Sequence, residues 1–370
     1  MELNKIYNMD CLTGLRQVPD EYVNTVVTSP PYWGLRDYGV AGQYGLESSP
    51  EEFIAQQVEV FREVYRVLRD DGTLWINMGD SYAHNGAAYG SEKSTLIGRR
   101  QGREMGQACR KVKKGEGLKP KDLVGIPWML AFALRADGWY LRDCIIWSKP
   151  NPMPESVTDR TTKAHEYIFL LSKSQKYYYD AYSIRTPIAD KTFTTFGTNR
   201  KGNGDGTGLV ASENWGKDVA IRKPKVWKMP DGWDTGEGGH GSFHRNGREK
   251  GKRADKQHGH SQRHAGFNER WDQMSTAEQM SYGANKRSVW TVATKPFKEA
   301  HFATFPEEIP ATCIKAGCPQ GGIVLDPYMG AGTTGLVARK LQRNFIGFEL
   351  NPEYIRIAER RLEKELGLFI

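Results

Sequence analysis

The sequence contains no apolar run approaching the roughly 18 residues that a membrane-spanning helix needs. Cysteine is scarce as well: the five cysteines are odd in number and scattered, which argues against a disulfide framework. At the beginning of the chain, no basic start leads into an apolar stretch with a small-residue cleavage site, so export is not expected. These absences favour a cytoplasmic protein in a reducing compartment.

A metal site is not expected either. Cys313 and Cys318 are spaced too widely for a zinc knuckle, and no second pair of cysteines or histidines faces them. Five of the eight histidines lie between His240 and His264, in a Gly/Arg/Lys-rich context without metal-ligand spacing. A loop region that faces nucleic acid fits this context better. Hydrophobic residues, at 38%, still suffice for a buried core, although the mean hydropathy is -0.63.

The positive charge is concentrated in two polar segments. Ten basic and three acidic residues lie between Asn85 and Lys121, and eighteen basic and twelve acidic residues lie between Ala189 and Trp290. Since the whole chain carries +8, the remainder is acidic overall. Segregated positive charge of this kind usually binds phosphate backbones. The alternative is a pair of solvated linkers whose charge only maintains solubility.

Strands and helices alternate in the N-terminal part and again near the C-terminus. The predicted strands are Leu3–Tyr7, Val23–Thr28, Thr73–Met78, Leu141–Trp147, Tyr167–Leu171, Gly322–Asp326 and Asn344–Glu349, and the predicted helices are Pro50–Arg69, Ile126–Ala136, Thr333–Leu341 and Pro352–Leu366. Strands separated by helices imply a parallel sheet that is covered on both faces. This pattern stops between Thr192 and Asn285, where sixteen glycines occur with few aliphatic runs.

One motif lies between a predicted strand and a predicted helix: the segment Asp326–Thr334, with the sequence DPYMGAGTT, which we call the cofactor loop. Gly330 and Gly332 allow a tight turn and a close approach of the backbone to a ligand, and the helix start offers N–H groups to an anion. Glu349 follows at about the offset of ~20 residues at which an acidic side chain meets a ribose diol. The dinucleotide fingerprint and the phosphate-loop lysine are both missing. NAD and ATP are therefore disfavoured, which leaves S-adenosylmethionine, whose carboxylate is the anion.

A second motif, which we call the target-base loop, is Ser29–Tyr32, directly after the strand Val23–Thr28. Two consecutive prolines fix the chain and remove N–H donors, so the local carbonyls lack internal partners. The Ser29 hydroxyl and the Pro30 carbonyl can accept both hydrogens of an exocyclic amino group. Tyr32 can stack on a base that has left the helix. The alternative is a rigid loop that only ends a strand.

With these two motifs in this order, the sequence resembles the β-type DNA amino-methyltransferases. The resemblance covers both ends of the chain and spares the two basic segments. Other similar segments are Asn8–Cys11, Ile145–Pro152, His165–Ile168, and Ser288–Trp290 followed by His301–Pro306. In the family, the first of these is an acidic turn that meets the cofactor's adenine. The last pair corresponds to a helix-start segment that closes the methionine end.

The resemblance implies an α/β fold with a doubly wound, mostly parallel sheet of the S-adenosylmethionine-dependent methyltransferase type. The sheet should be circularly permuted, because the cofactor loop follows the target-base loop in the chain. The strands of the two chain ends must then build one sheet. The expected parts are a first catalytic segment (residues 1–188, with a basic insertion at 85–121), an inserted target-recognition region (189–288) and a second catalytic segment with the cofactor-binding βαβ unit (289–370).

Site residues follow from the motifs, the resemblance and the charge pattern. The expected catalytic residues are Ser29, Pro30, Pro31 and Tyr32. The expected cofactor-binding residues are Asp10, Cys11, Thr28, Phe305, Pro306, Asp326, Pro327, Tyr328, Gly330, Gly332, Thr333, Thr334 and Glu349. The expected contacts to the DNA backbone are Arg99, Arg100, Arg110, Lys111, Lys113 and Lys114.

The expected reaction is methyl transfer from S-adenosylmethionine to the N4 amino group of a flipped-out cytosine in double-stranded DNA. The form Thr-Ser-Pro-Pro-Tyr at Thr28–Tyr32 is common in N4-cytosine enzymes, whereas N6-adenine enzymes usually carry Asp in the place of Ser29. Adenine-N6 is the alternative. A cognate restriction endonuclease is compatible with the sequence, as are a monomer and a homodimer.

Two functions of other classes stay open. RNA and protein-amide methyltransferases use a similar Pro-Pro-Tyr loop, but they usually place the cofactor loop first and have Asn before the prolines. A DNA-binding module that has lost catalysis is disfavoured by the intact Ser29, Tyr32 and Glu349. A C5-cytosine enzyme is excluded, because its catalytic loop needs a nucleophilic Pro-Cys pair and Cys318-Pro319 has the reverse order.

Overall fold

The computed structural model describes residues 1–34, 39–83, 117–186, 283–294 and 305–367. The chain divides into two compact units, one of Met1–Arg185 with Asn285–Ile370 and a second of Thr186–Ala284. The second unit overlaps the predicted target-recognition region and lies almost wholly outside the described residues. The described elements are β1 (Lys5–Asn8), α1 (Cys11–Leu15), β2 (Val23–Thr28), α2 (Pro50–Val67), β3 (Leu68–Met78), α3 (Ile126–Ala136), β4 (Tyr140–Ser148), β5 (His165–Ser172), β6 (Val289–Thr291), α4 (Glu308–Gly317), β7 (Ile323–Asp326), α5 (Thr333–Lys340), β8 (Asn344–Glu349) and α6 (Pro352–Leu366).

The strands form one sheet in the order β1-β8-β7-β2-β3-β5-β4-β6. All neighbours are parallel except that β5 runs antiparallel to both β3 and β4. β1 pairs with β8, and β2 pairs with β7. The two ends of the chain therefore build a single sheet, which confirms the fold class expected from the motif order.

Helices cover both faces of this sheet because buried side chains alternate along the central strands. Val26 packs with α1, α2 and α3, whereas its neighbour Val27 packs with α4, α5 and α6. Leu74 and Trp75 divide in the same way. A strand that buries both faces is typical of a sheet enclosed between two helical layers. The core consists of these two layers of packing.

The end of α2 differs from the expected boundary. The helix begins as predicted, with the Ser49 side chain accepting from Glu52 N at 3.1 Å and Pro50 in the first turn. It ends at Val67, two residues earlier than expected. Leu68 is already extended, with φ -75° and ψ 136°, because its backbone pairs with Val23 of β2. Sheet pairing thus ends the helix before the predicted boundary at Arg69.

The segment Ser288–Trp290 was expected to belong to a helix start, and that expectation was wrong. Val289–Thr291 is strand β6, which pairs in parallel with β4 and places Trp290 opposite Trp147. Trp290 is 6% exposed and its ring lies 6.5 Å from that of Trp75. Burial of this indole on the sheet explains why the segment is extended.

The chain leaves β2 and β7 in opposite directions. β2 continues through α2 to β3 on one side, and β7 continues through α5 to β8 on the other. Sheets of this kind bind ligands outside the carboxyl ends of the strands at such a reversal. Here the two strand ends are joined by the buried carboxylate of Asp326, which accepts hydrogen bonds from Thr28 Oγ1 at 2.6 Å and from Thr334 Oγ1 at 2.7 Å.

A pH-dependent contribution to stability follows from this buried carboxylate. Burial raises the pKa of Asp326 from 3.8 to about 6, although the hydrogen bonds from Thr28 and Thr334 act in the opposite direction. A raised pKa in the folded state favours folding fully below pH 3.8, and this contribution is lost as the pH rises through about 6. The difference between the two values corresponds to about 3 kcal/mol.

Asp326→Asn removes this titration. We expect the free energy of unfolding of the wild type, relative to that of the variant, to fall by up to about 3 kcal/mol between about pH 4 and about pH 7. Urea denaturation at a series of pH values measures both proteins. A difference that stays constant across this range would contradict the assignment.

Candidate active site

Four loops lie at one edge of the sheet, because β1, β2, β7 and β8 are parallel and end there. The turn with Asp10 follows β1, the target-base loop follows β2, the cofactor loop follows β7, and Glu349 ends β8. The structure thus brings both sequence motifs and the spaced acidic residue to the same edge.

Gly330 and Glu349 hold the middle of the cofactor loop. Gly330 has φ +52°, a left-handed conformation that favours glycine, and its N–H donates to Glu349 Oε2 at 2.8 Å. Asn351 N donates to the other carboxylate oxygen at 2.8 Å. Burial raises the pKa of Glu349, while these backbone donors lower it. A Cβ added at Gly330 would meet only the Tyr328 carbonyl oxygen, at 4.0 Å, so the space beside this residue is open.

Gly332 serves a different purpose from the one expected. It also has a left-handed φ, +77°, but a Cβ here would lie 2.7 Å from Ala358 Cβ in α6. The missing side chain therefore allows two helices to pack closely, instead of leaving room for a ligand. The next residue, Thr333, accepts from Arg361 Nη1 at 2.8 Å. This end of the loop is consequently fixed to α6.

The turn after β1 lies beside Glu349. Asn8 Nδ2 donates to the Glu349 carbonyl at 3.1 Å, and Asp10 caps α1 by accepting from Thr13 N at 3.0 Å. Burial, together with the Asp10 charge, raises the pKa of Cys11 to about 12. A thiol in this state is protonated and a poor nucleophile.

Two tyrosines line this region. The Tyr328 hydroxyl donates to Gln57 Oε1 at 3.0 Å, and the Tyr328 ring meets the Tyr44 ring edge to face at 6.0 Å. Burial raises the pKa of both tyrosines, so they remain neutral. An aromatic wall thus stands next to the carboxylate of Asp10.

The C-terminal end of the target-base loop is held by a nearby segment of the chain that contains Gly45 and Glu47. Trp33 is 7% exposed, and its indole N–H donates to the Glu47 carbonyl at 3.2 Å. The Glu47 carboxylate in turn accepts from Gly45 N at 2.9 Å and 3.0 Å. Within the loop, Pro30 is buried, whereas Ser29 is partly exposed. A fixed loop with an accessible hydroxyl is suited to accept hydrogen bonds from a ligand.

Tyr32 is anchored by residues that sequence reasoning missed. Its hydroxyl donates to Glu166 Oε2 at 2.8 Å, and Asn77 Nδ2 donates to the Tyr32 oxygen at 3.1 Å and to Glu166 Oε2 at 3.0 Å. Lys149 pairs with the other carboxylate oxygen of Glu166. Burial raises the pKa of Tyr32, and the neighbouring Glu166 charge raises it further, so the phenol stays protonated.

The sequence carries a partial signal for this group. Lys149 and Glu166 fall in the two late-strand segments that resemble the family, yet nothing local says that they meet. They meet because β5 is antiparallel, which brings its first residues to the same edge as the last residues of β4. A charged residue at the start of a strand can be predicted as a site residue only once the direction of that strand in the sheet is known.

A second acidic residue, Asp80, holds the start of α3 in place. The Asp80 carboxylate accepts from Gly125 N at 3.0 Å and from Ile126 N at 3.2 Å, at the start of α3. The Lys163 ammonium donates to the Asp80 carbonyl. Burial lowers the pKa of Lys163, whereas Asp80 and Glu166 act in the opposite direction. Sequence reasoning missed both residues.

The remaining expected residues divide into three groups. Thr28 and Thr334 are 1% exposed and hydrogen-bond to Asp326, and Pro327 is buried. Pro306 is buried, and its carbonyl accepts from Ile309 N at 3.1 Å at the start of α4, next to the partly buried Phe305. The six basic residues expected to bind DNA, from Arg99 to Lys114, lie outside the described residues, as do 301–304.

Two further observations concern only the residues that the structure describes. Their helices include none that is long and apolar enough to cross a membrane. Their histidines, cysteines and acidic residues form no group of three or more that could hold a metal ion.

The groups at this edge fit S-adenosylmethionine. The partly exposed Glu349 carboxylate and the Asp10 carboxylate are suited to accept hydrogen bonds from hydroxyl and amino groups. The aromatic wall of Tyr44 and Tyr328 suits a flat ring, and the open space beside Gly330 lies next to the start of α5. Backbone N–H groups at a helix start favour a carboxylate.

Comparison with known proteins gives consistent matches over nearly the whole chain. The N6_N4_Mtase family model, described as DNA methylase, matches residues 23–360. The type II methyltransferase M.Cfr9I of Citrobacter freundii is 40% identical over 367 residues, covering 99% of this chain and 90% of that relative. The type II methyltransferase M.SmaI of Serratia marcescens is 38% identical over 358 residues, covering 97% and 90%.

A solved structure shares the fold. The PvuII DNA methyltransferase (cytosine-N4-specific) superposes with a TM-score of 0.54 at 16% identity, covering 96% of this chain and 85% of that one. At this identity the likeness concerns the fold alone. The family match and the identities of 38% and 40% go further: this chain belongs to the N6/N4 DNA methylase family, whose cofactor is S-adenosylmethionine.

Proposed function

We propose that this chain is a type II DNA methyltransferase that methylates the N4 amino group of cytosine in double-stranded DNA. The observation that carries the proposal is the position of Ser29. It follows β2 directly, and the preceding residue, Thr28, is hydrogen-bonded to Asp326 of the cofactor loop at 2.6 Å. The proposed acceptor of the amino group and the proposed methyl-donor site are thereby held together across two adjacent strands.

The nature of the relatives supports the same reading. M.Cfr9I and M.SmaI are named type II methyltransferases, and the PvuII enzyme is named cytosine-N4-specific. The serine at position 29 agrees with the N4-cytosine form of the motif. A type II modification enzyme acts beside a restriction endonuclease, so we include such an endonuclease as a partner in the proposal.

In the proposed reaction the target cytosine leaves the helix and enters the edge of the sheet beside the target-base loop. Ser29 Oγ and the Pro30 carbonyl accept its two amino hydrogens, while the Tyr32 ring stacks on the base. These hydrogen bonds draw the conjugated nitrogen towards tetrahedral geometry and free its lone pair. Most of the rate then comes from positioning and from charge complementarity.

Bound S-adenosylmethionine supplies the electrophilic methyl group. The nitrogen lone pair would form the new N–C bond, the S–C electron pair would stay on sulfur, and the proton released from nitrogen would pass to solvent water. No covalent bond to the protein is required. This agrees with the four cysteines of the described residues, whose thiol pKa values are all raised by burial.

The expected cofactor residues take two roles in this proposal. Glu349 binds the ribose hydroxyls, the Asp10 turn meets the adenine, and the backbone at Gly330 approaches the methionine part. The side chains of Thr28, Asp326 and Thr334 hydrogen-bond to one another. These buried hydrogen bonds hold the cofactor loop on the sheet. Phe305 and Pro306 close the methionine end from the start of α4.

We assign DNA binding to the two basic segments. The clusters Arg99-Arg100, Arg110-Lys111 and Lys113-Lys114 supply positive charge for backbone contacts, and the region 189–288 selects the target sequence. Both assignments rest on composition, since these residues lie outside the described part of the chain.

Ser29→Ala tests the proposed chemistry. Loss of a hydrogen bond that forms to the reacting group in the transition state costs on the order of 10²–10³ in rate. We expect kcat to fall by this amount, while the affinity for S-adenosylmethionine, measured by calorimetry, stays normal. Ser183→Ala, which alters an exposed serine after β5, serves as the control and should keep wild-type kcat. Unchanged turnover in Ser29→Ala would rule out the assigned role.

Glu349→Gln tests the cofactor site. The substitution removes one charged acceptor, and hydrogen bonds to charged groups contribute about 1.5–3 kcal/mol, so the dissociation constant for S-adenosylmethionine should rise about ten- to a hundredfold. Calorimetry measures this, and thermal melting verifies folding. Glu353→Gln, an exposed acid in the first turn of α6, is the matched control. Wild-type affinity in Glu349→Gln would place the ribose elsewhere.

A further inference from the structure

The carboxylate of Glu166 joins three other parts of the fold. It accepts from the Tyr32 hydroxyl at 2.8 Å and from Asn77 Nδ2 at 3.0 Å, and it forms an ion pair with Lys149. The Glu166 side chain is 14% exposed and that of Lys149 is 18% exposed. Both charges are therefore largely removed from water.

The sheet fixes the place of this carboxylate. Glu166 pairs with Trp147 of β4, and two residues further along β5, Ile168 pairs with Asn77 of β3. Lys149 follows β4 directly, and its ammonium lies 4.3 Å from the centre of the Trp147 ring, within range of a cation–π contact. Three neighbouring strands thus determine where the acceptor for the Tyr32 hydroxyl lies.

The position of Tyr32 is restricted from a second side. A Cβ at Gly79 would lie 2.8 Å from Tyr32 Cε2 and 3.4 Å from Glu166 Cδ. The backbone therefore has no side chain at the point where the Tyr32 ring and the Glu166 carboxylate meet. The Tyr32 ring is consequently confined at Gly79, while its hydroxyl is bound to Glu166.

Stability alone is a weak explanation for this group. A largely buried ion pair recovers its desolvation cost only with good geometry and further hydrogen bonds, and apolar replacements are often as stable. Here the further hydrogen bonds come from Tyr32 and Asn77. The residue that gains a defined orientation from the arrangement is Tyr32, whose ring is the only aromatic group within the target-base loop.

We propose that Glu166 is a positioning residue for methyl transfer. It holds the Tyr32 ring, through the phenol hydroxyl, in the orientation at which the ring stacks on the flipped base, and Lys149 and Asn77 hold Glu166 in turn. This inference rests on the proposed function, since it assumes that Tyr32 contacts the base. Glu166 itself touches neither base nor cofactor in this account.

A double-mutant cycle between Tyr32→Phe and Glu166→Gln tests the inference. Tyr32→Phe keeps the ring and removes only the hydroxyl. Each single variant should lower kcat about tenfold, with unchanged affinity for S-adenosylmethionine and for DNA, because only the orientation of the base is affected. In the Tyr32→Phe background, Glu166→Gln should lower kcat by less than about a further twofold, since the two residues act through one hydrogen bond.

The matched control is Glu63→Gln, which breaks an ion pair with Arg66 in α2 and should keep wild-type kcat. Wild-type kcat in Tyr32→Phe, or losses that multiply in the double variant to about a hundredfold, would overturn the inference. If Glu166→Gln lowers the melting temperature, the kcat of Tyr32→Phe still tests the inference, because wild-type kcat in that variant would overturn it. Turnover in Ser29→Ala separates the two claims: full activity there refutes the proposed function, whereas its loss beside fully active Tyr32 and Glu166 variants refutes only this inference.

Discussion

The buried carboxylate of Asp326 is the interaction on which the site depends. It ends β7, and it accepts hydrogen bonds from Thr28 at the end of β2 and from Thr334 in the first turn of α5. β2 and β7 come from opposite ends of the chain, and they are neighbours at the reversal of the sheet. Together with the hydrogen bond from Thr334 Oγ1 to the Val27 carbonyl at 3.3 Å, this junction ties the strand that leads into the target-base loop directly to the cofactor loop.

The site divides its charges between two tasks. On the cofactor side, Glu349 and Asp10 hold backbone N–H groups and are suited to bind the hydroxyl and amino groups of a nucleoside. On the side of the target-base loop, Glu166 forms an ion pair with Lys149, and its carboxylate accepts a hydrogen bond from the Tyr32 hydroxyl. The carboxylates on both sides of the proposed site are thus already hydrogen-bonded, which limits the reorganisation needed on binding.

Local patterns predicted the loops well and their packing less well. The strand before Ser29 and the strand–loop–helix around Asp326 were predictable because hydrophobic runs, prolines and glycines act locally. The purpose of Gly332 was not, since Ala358 lies in another helix. The strand at Trp290 and the meeting of Glu166 with Lys149 depend on strand direction and register, which arise from long-range pairing. The sequence pattern therefore indicated the loops of the proposed site but not the contacts that hold them in place.

The central claim is that the amino group of cytosine is the methyl acceptor. The most direct measurement is mass spectrometry of nucleosides from the DNA of a host that lacks its own DNA methylation and expresses this chain. The account predicts N4-methylcytosine with the wild type and none with Ser29→Ala. N6-methyladenine instead of N4-methylcytosine would contradict the assignment of the base, and 5-methylcytosine would contradict the mechanism as well.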